Sequence, residues 1–399
     1  MKVLISGGGI AGLTCAYWLF QKGHTPVVVE RAEAGPVGGY GIDFSGTGYE
    51  VAGRMGLRDQ LAARQLRSDS ITFVHAVEGV TARLNRRLVE KVLRGPYLAL
   101  MHSTLEDVLA AAIRDKVEVR HRQSIAAVHQ SDARVDVTFA DGAQASFDVL
   151  VGADGVHSRT RELVFGAEPR WARHLDFSMA CYPVPDIPGL ADTRTHFTEP
   201  GRQTVLYPTD KVGTSIALFL YRSGPHGSIP RAERAARLRA TYTDSGWHTA
   251  QLLGHVPDDG FFMDTLTQIE MPRWHCGRVV LIGDACGALT LTSAQGASLA
   301  MAGGYLLAEA LAAHPRDHET AFAGYEEQLR PVVAERQRRA RTMARGLVPA
   351  TRVGLAAQRL IMPLVLRDVC VPLLRRGFGD TSSILRTAAN DMMDMETAQ

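Results

Sequence analysis

Lys2 is followed by three apolar residues, Val3-Leu4-Ile5, and then by the glycine cluster Gly7-Gly8-Gly9-Ile10-Ala11-Gly12. An apolar run this short, cut off by a turn signal, reads as a fully buried strand. Leu13 to Phe20 is an apolar segment of helix length, closed by Gly23. Glycine is a good residue for a helix C-terminus. Pro26-Val27-Val28-Val29 reads as a second buried strand, ending in Glu30. The order strand, glycine turn, helix, strand, acid predicts the opening of a parallel α/β sheet. A signal peptide is not expected, because the glycines interrupt the apolar run after only a few residues.

Further along, residues 31–48 are glycine-rich and read as a long irregular loop that turns helical between Gly46 and Gly56. Long unstructured loops inside compact domains are usually functional. Ile71 to Val74 reads as a strand, and Ser103 with Glu106 suggests a capping box for a helix over Thr104–Arg114. Strands follow at Val117–Arg120, Ala126–His129 and Val135–Phe139. Asp141-Gly142 is a hairpin signal, with one returning strand through Phe147–Val151. Residues 172–272 change texture. Strand patterns dominate at Phe177–Tyr182, Arg194–Phe197, Thr204–Tyr207, Thr214–Tyr221 and Phe261–Ile269, interrupted by a basic helix over Arg231–Tyr242. Val279–Ile282 is again a buried strand of the first type, and the chain is helical from Gln295 onward.

The fold expected is therefore α/β with an α+β insert. A Rossmann-like domain is expected over 1–171 plus 273–345, a mainly antiparallel-sheet domain over 172–272, and C-terminal helices over 346–399. The stretch 353–376 is apolar, but Arg359, Arg367 and Asp368 interrupt it, so it is expected not to span a membrane.

Composition narrows this only a little. The 399 residues are 46% hydrophobic and 22% charged, ordinary for a globular chain. A net charge of +2 gives no nucleic-acid footprint. Five scattered cysteines without a C-x-x-C pair suggest neither a metal site nor a disulfide framework, and fit a cytoplasmic location.

Chemistry enters with three motifs. In the first, Gly7 permits a tight turn, Gly9 lets backbone approach a pyrophosphate, and Gly12 lets the helix pack on the strands. The helix N-terminus then presents unpaired N–H groups to the phosphates. Glu30 follows Gly12 by 18 positions (30 − 12), the spacing at which an acid reaches ribose hydroxyls. These parts in order predict an adenine dinucleotide, without choosing between NAD and FAD. The second motif, DVLVGADGVHSRTR (148–161), and the third, GRVVLIGDACG (277–287), each place an acid beside a glycine after a buried strand. In open α/β sheets that is where ligands bind.

With these motifs in this order, the sequence resembles the FAD-dependent aromatic hydroxylases of the para-hydroxybenzoate hydroxylase type. Within them it looks most like the branch of tetracycline-inactivating and polyketide-tailoring monooxygenases. The resemblance covers nearly the whole chain and rests on GGGIAG with Glu30, on GADGVHSRTR, and on GDACG followed by AQGAS. It implies a monooxygenase in which NAD(P)H, as a transient co-substrate, reduces FAD. Oxygen then forms a flavin C4a-hydroperoxide that oxygenates an aromatic or polyketide-like small molecule. The resemblance also makes 172–272 a substrate domain and the helices of 346–399 a bridge between the two domains. Gly7, Gly9, Gly12, Glu30 and the adjoining Arg31 would hold the ADP half of FAD, and Asp43 would lie near the flavin. Asp154 would sit where both cofactors are sensed. Gly283 and Asp284 would meet the ribityl chain. Gln295 and Gly296 would lead a helix N-terminus to the pyrimidine ring, where charge on reduced flavin is stabilised. Four positions depart from the family pattern: His102 stands for an arginine, Gly287 for a histidine, Leu291 for a proline and Ala294 for a glycine. The absence of a second G-x-G-x-x-G fits a transient NAD(P)H site.

Leu206 and Phe219, on the apolar strands of 172–272, are the candidate substrate contacts. The sequence names no catalytic side chain, metal or oligomeric state. Two other readings stay open. One is a reductase of the same fold that does not use oxygen. The other is a flavin-retaining binding protein for a polyketide-like molecule.

Overall fold

The computed structural model describes residues 1–33, 39–68, 70–75, 79–224, 229–290, 295–378 and 384–385. The opening strand is β1 (Lys2–Ser6), with four of its five residues buried. It lies near the middle of a six-stranded sheet of order β17-β18-β11-β1-β2-β7. The other members are β2 (Thr25–Glu30), β7 (Glu118–His121), β11 (Val149–Gly152), β17 (His275–Cys276) and β18 (Val279–Leu281). All neighbours pair in parallel except β17 with β18. Helices cover both faces of such a sheet, which is why its strands read as unbroken apolar runs.

Helices α1 (Ile10–Gln21), α5 (His102–Ile113), α10 (Gly296–Ala313) and α11 (His318–Leu347) pack around this sheet. α10 crosses α1 closely: a Cβ on Gly304 would lie 2.7 Å from Cys15 N. α10 is also the one described helix long and apolar enough to cross a membrane, and 67% of it is buried inside the protein. A satellite sheet, β8 (Ile125–Gln130), β9 (Val135–Phe139) and β10 (Gln144–Phe147), and helix α6 (Arg159–Phe165) complete this part.

A second, seven-stranded sheet runs β16-β12-β15-β14-β13-β4-β5. Its central strands are β12 (Ala172–Pro185), β13 (Arg194–Glu199), β14 (Arg202–Pro208) and β15 (Thr214–Arg222), with β16 (Phe262–Ile269) at one edge. The other edge comes from far earlier in the chain, β4 (Ser70–His75) and β5 (Gly79–Asn85). The interval 172–272 therefore does not contain the whole sheet. β13 and β4 pair in parallel, which takes a long crossover that strand patterning does not reveal. Helices α7 (Arg231–Thr241) and α8 (Thr249–Leu253) cover one face of this sheet. The opposite face meets a two-stranded ribbon of β3 (Gly41–Ser45) and β6 (Tyr97–Met101).

Three local expectations change. The glycine-rich stretch after Glu30 contains β3, whose pairing with β6 lies more than fifty residues away and leaves no local signal. Phe147–Val151 is two strands in two sheets, because Asp148 turns outward and its carboxylate accepts the Lys2 amide at 2.6 Å. α5 begins at His102 with Met101 as N-cap and no side-chain cap, so Ser103 and Glu106 form no capping box.

The remaining helices are α2 (Gly46–Arg54), α3 (Arg58–Ala62), α4 (Arg86–Leu93), the short α9 (Asp284–Gly287), α12 (Arg352–Val365) and α13 (Val371–Phe378). α13 packs on α4, where Arg375 donates to Lys91 O. Ile384 N donates to Thr47 Oγ1 of α2, and Leu385 is buried among the first sheet's core residues. The C-terminal segment thus touches α4 and α2.

Candidate active site

The glycine loop joins β1 to α1. Gly7 has φ +113°, and a Cβ there would sit 2.3 Å from Ala153 O. A Cβ on Gly12 would sit 1.9 Å from Gly7 O. These two glycines are demanded by the protein itself. Gly9 differs, since the nearest atom its Cβ would meet is Glu106 Oε1 at 3.5 Å. α1 starts behind Gly9 with no side-chain cap and no acid in its first turn, so its amides stay open to an anion. Glu30 sits over the loop, accepting from Gly8 N at 2.7 Å and from Ala32 N at 2.8 Å. Arg31, beside it, is exposed.

The third motif meets this loop directly. Gly283 has φ +61°, and a Cβ on it would lie 2.8 Å from Ala11 Cβ of α1 and 3.8 Å from Ala300 Cβ of α10. The N-terminal parts of α1 and α10 therefore both approach Gly283. α10, like α1, begins with no side-chain cap and no acid in its first turn, behind Gln295 and Gly296. A Cβ on Gly296 would meet open space. Asp284 is open to the crevice yet deep within the molecule. Its surroundings raise its pKa, and His102 opposes that. Gly287 has a packing reason: a Cβ there would come within 2.8 Å of Val333 in α11, so no larger side chain fits. The other two departures, Leu291 and Ala294, lie outside the described residues.

Asp154 is hydrogen-bonded within its own loop. Its carboxylate accepts from Thr160 N and Oγ1, both at 2.8 Å, from Ser6 Oγ at 3.4 Å, and from Ser158 Oγ. It fixes the loop between β11 and α6. Arg161 of the same motif is fully buried and donates to Ala285 O, Val156 O and Glu168 Oε2. This arginine ties the second motif to the third.

On the other side of the crevice, Asp43 of β3 meets Arg194 of β13 in a bidentate pair at 2.8 and 2.9 Å. The side chains are 24% and 14% exposed, so the pair borders open space. Burial opposes ionisation of Asp43, but the guanidinium outweighs it and holds the carboxyl below its usual pKa. His196, next to them, is pushed down to about 4 by burial and by Arg194, and is therefore neutral at pH 7. The hydroxyl oxygen of Tyr207 on β14 accepts the Gly41 amide at 2.5 Å.

Leu206 and Phe219 do not reach this crevice. Both are fully buried on the far face of the sheet, with Tyr182, Leu238, Tyr242 and Leu252 under α7 and α8. Side chains alternate along a strand. The residues facing β3 and β6 are instead Val205 and Tyr207 of β14, and Ile216, Leu218 and Leu220 of β15. Both faces are apolar, so the sequence pattern gave no means of choosing between them. The pattern also missed Arg161, Arg194 and His196. An arginine inside the strand pattern of 194–197 was the available signal for Arg194, but its partner is 151 positions away.

Two uncapped helix N-termini meeting at a glycine, a tight glycine loop and flanking carboxylates at Glu30 and Asp284 suit an extended dinucleotide. A model of the FAD binding domain family matches residues 1–340. A curated flavin-dependent monooxygenase from an unknown prokaryotic organism is 31% identical over 348 residues, covering 84% of this chain and 87% of that protein. Another, from Legionella longbeachae serogroup 1 (strain NSW150), is 28% identical over 348 residues, covering 85% and 87%. Among solved structures, tetracycline destructase Tet(55) aligns with a TM-score of 0.79 at 27% identity, covering 93% of this chain and 96% of that one.

Proposed function

The chain belongs to the FAD-binding family of flavin-dependent monooxygenases, and we propose that it oxygenates a planar, electron-rich aromatic or polyketide-like molecule, with NAD(P)H as reductant. The observation that carries the substrate class is the part-exposed Asp43–Arg194 pair. It borders open space beside an apolar core in which Val205, Tyr207 and Leu218 are buried against β3 and β6. An arginine there suits enolic or phenolic oxygens, and apolar surroundings suit the ring that carries them.

Bound FAD would supply the redox and oxygen chemistry. The open amides of α1 would hold its phosphates, with Glu30 at the ribose and Asp284 along the chain that links the phosphates to the ring. The N-terminus of α10 would stabilise negative charge at the ring. Asp43 holds Arg194 in one orientation, and Arg194 would orient the substrate. The apolar core beside the pair would help keep water from the reacting atoms.

In this reading, residues 1–171 with 273–345 hold the cofactor. Residues 172–272, with the edge strands β4 and β5, hold the substrate, and 346–399 link the two. A cytoplasmic location is part of the reading, supported by five cysteines without a disulfide.

The test uses isotopically labelled oxygen with purified protein, NADH or NADPH, and a panel of phenolic and polyketide-like compounds. One labelled atom in the product, with substrate-stimulated NAD(P)H oxidation, is expected. Reduction of the flavin without label in any product would return the reading to an oxygen-independent reductase.

A further inference from the structure

The side chain nearest the open edge of the phosphate loop is an acid. Glu106 projects from α5 so that its Oε1 lies 3.5 Å from where a Cβ on Gly9 would stand. A carboxylate there faces the place the α1 amides reserve for an anion, and two like charges in one crevice repel. The compensating group is one turn back on the same helix. His102 Nδ1 stands 3.3 Å from Glu106 Oε2. The His102 ring packs 5.5 Å from Tyr40, and its amide is fixed to Tyr40 O at 2.9 Å.

Every titratable group facing this imidazole favours its charged form or is neutral. Glu106 comes from α5, Asp284 from the turn after β18, and Tyr40 from the segment before β3, with Asp264 of β16 behind Tyr40. Burial alone would lower the His102 pKa; the hydrogen bond and charge of Glu106, with Asp284, outweigh burial and raise it. At this position the resembling family carries an arginine, which never loses its charge.

We propose that His102, paired with Glu106, is the charge-compensating group of the FAD pyrophosphate site, so that cofactor binding takes up a proton on the His102 imidazole. The inference rests on the FAD reading. It makes retention of the cofactor, and not only turnover, depend on pH. The bound phosphates add negative charge near the imidazole. His102 therefore stays protonated to higher pH in the complex than in the free protein. Between those two pKa values each unit rise in pH weakens binding by up to about tenfold, the limit for one linked proton. Below that window binding is tight and flat.

The experiment measures FAD release from the purified full-length holoenzyme, diluted and equilibrated at pH values from about 6 to 9, by recovery of free-flavin fluorescence. The wild-type dissociation constant should rise with pH. H102R should bind tightly with no pH dependence over this range, because its charge does not titrate. H102Q should bind weakly and flatly, near the wild-type value at the alkaline end. E106Q should bind more tightly than wild type at low pH, with weakening that starts at lower pH, because the imidazole has lost its partner. A flat wild-type profile, an H102R profile that follows the wild-type slope, or an E106Q variant that binds more weakly at low pH overturns the proposal. If H102R does not fold, H102Q and E106Q decide alone. A wild-type chain that retains no FAD at any pH fails the flavoprotein reading itself, an outcome distinct from FAD that binds without pH dependence.

Discussion

The six-stranded parallel sheet and the seven-stranded sheet specify their sites in different ways. On the first, the site is written in backbone. Gly7 and Gly12 are places where a Cβ would stand 2.3 and 1.9 Å from a carbonyl oxygen, and α1 and α10 offer amides without side-chain caps. On the second, the site is written in side chains that meet across long sequence distances, as Asp43 meets Arg194. Backbone constraints recur as short local motifs. Contacts between remote side chains do not. The difference divides the chain into a part whose site can be read from short motifs and a part whose side-chain pairs cannot.

The sharpest way to break this contrast is within the glycine loop. Gly12→Val drives a side chain into Gly7 O, so a loss of stability above ~3 kcal/mol is expected, seen as a lowered Tm and poor recovery of folded protein. Gly9→Val has room in the protein, because only Glu106 Oε1 lies near its Cβ. It should keep a near-wild-type Tm for the flavin-free protein and lose FAD. If both variants unfold alike, the distinction between a glycine kept for packing and a glycine kept for the cofactor is wrong.

The two faces of the seven-stranded sheet give the next contrast. Phe219→Ala empties a fully buried site under α7 and should cost about 3–5 kcal/mol, with substrate preference unchanged in whatever protein folds. Leu218→Ala, on the face toward β3 and β6, should cost about 2–5 kcal/mol and also change KM across a substrate panel. Thermal unfolding and kinetics on the same preparations separate the two effects. Shifted preference in Phe219→Ala with none in Leu218→Ala would put the substrate on the helix-covered face.

What the sequence disclosed follows the same division. The strand-glycine-helix-strand-acid opening, the two acid-glycine turns and the apolar runs of β1, β2 and β18 are local, and each stands where it is expected. Leu206 and Phe219 show where local reading stops. Both faces of β14 and β15 are apolar, and only the position of α7 and α8 decides which one is inside. β3 was hidden among glycines, and β4 with β5 joined a sheet whose other strands begin about a hundred residues later. Asp154 looked like a ligand-binding acid, but four hydrogen bonds use its carboxylate to hold the loop. A residue type and a motif do not tell a carboxylate that binds from one that braces.

Asp43 and Arg194 test whether side-chain pairing governs the substrate half. Arg194→Met should lower kcat/KM for a substrate with an acidic or enolic hydroxyl by about tenfold or more, in line with the loss of one charged hydrogen bond. The dissociation constant of FAD should stay within about twofold by the same scale. Because the pair is partly open to solvent, the stability cost should fall below the ~3–5 kcal/mol of a fully buried ion pair. A large loss of FAD in this variant would mean that Arg194 serves the cofactor.

The smallest effect concerns the contact that joins the two regions. His157, in the loop after Asp154, reaches Glu168 at 2.9 Å and Asp264 of β16 at 3.2 Å. The hydrogen bond and charge of Asp264, reinforced by Glu168, outweigh partial burial and push the His157 pKa up to about 9. A histidine whose pKa is raised on folding stabilises the protein fully below its unfolded value of about 6.5, and that contribution is lost as pH rises through the folded value. The window is therefore from about pH 6.5 to about 9. The ring is half exposed, which limits the contribution to about 1 kcal/mol or less. Wild type should lose a little more Tm than His157→Gln over this window, by about one or two degrees. Equal slopes would show that Asp264 and the second motif are held together by the surrounding packing alone, leaving Arg161, Glu168 and the covering helices to set how the substrate sheet faces the cofactor.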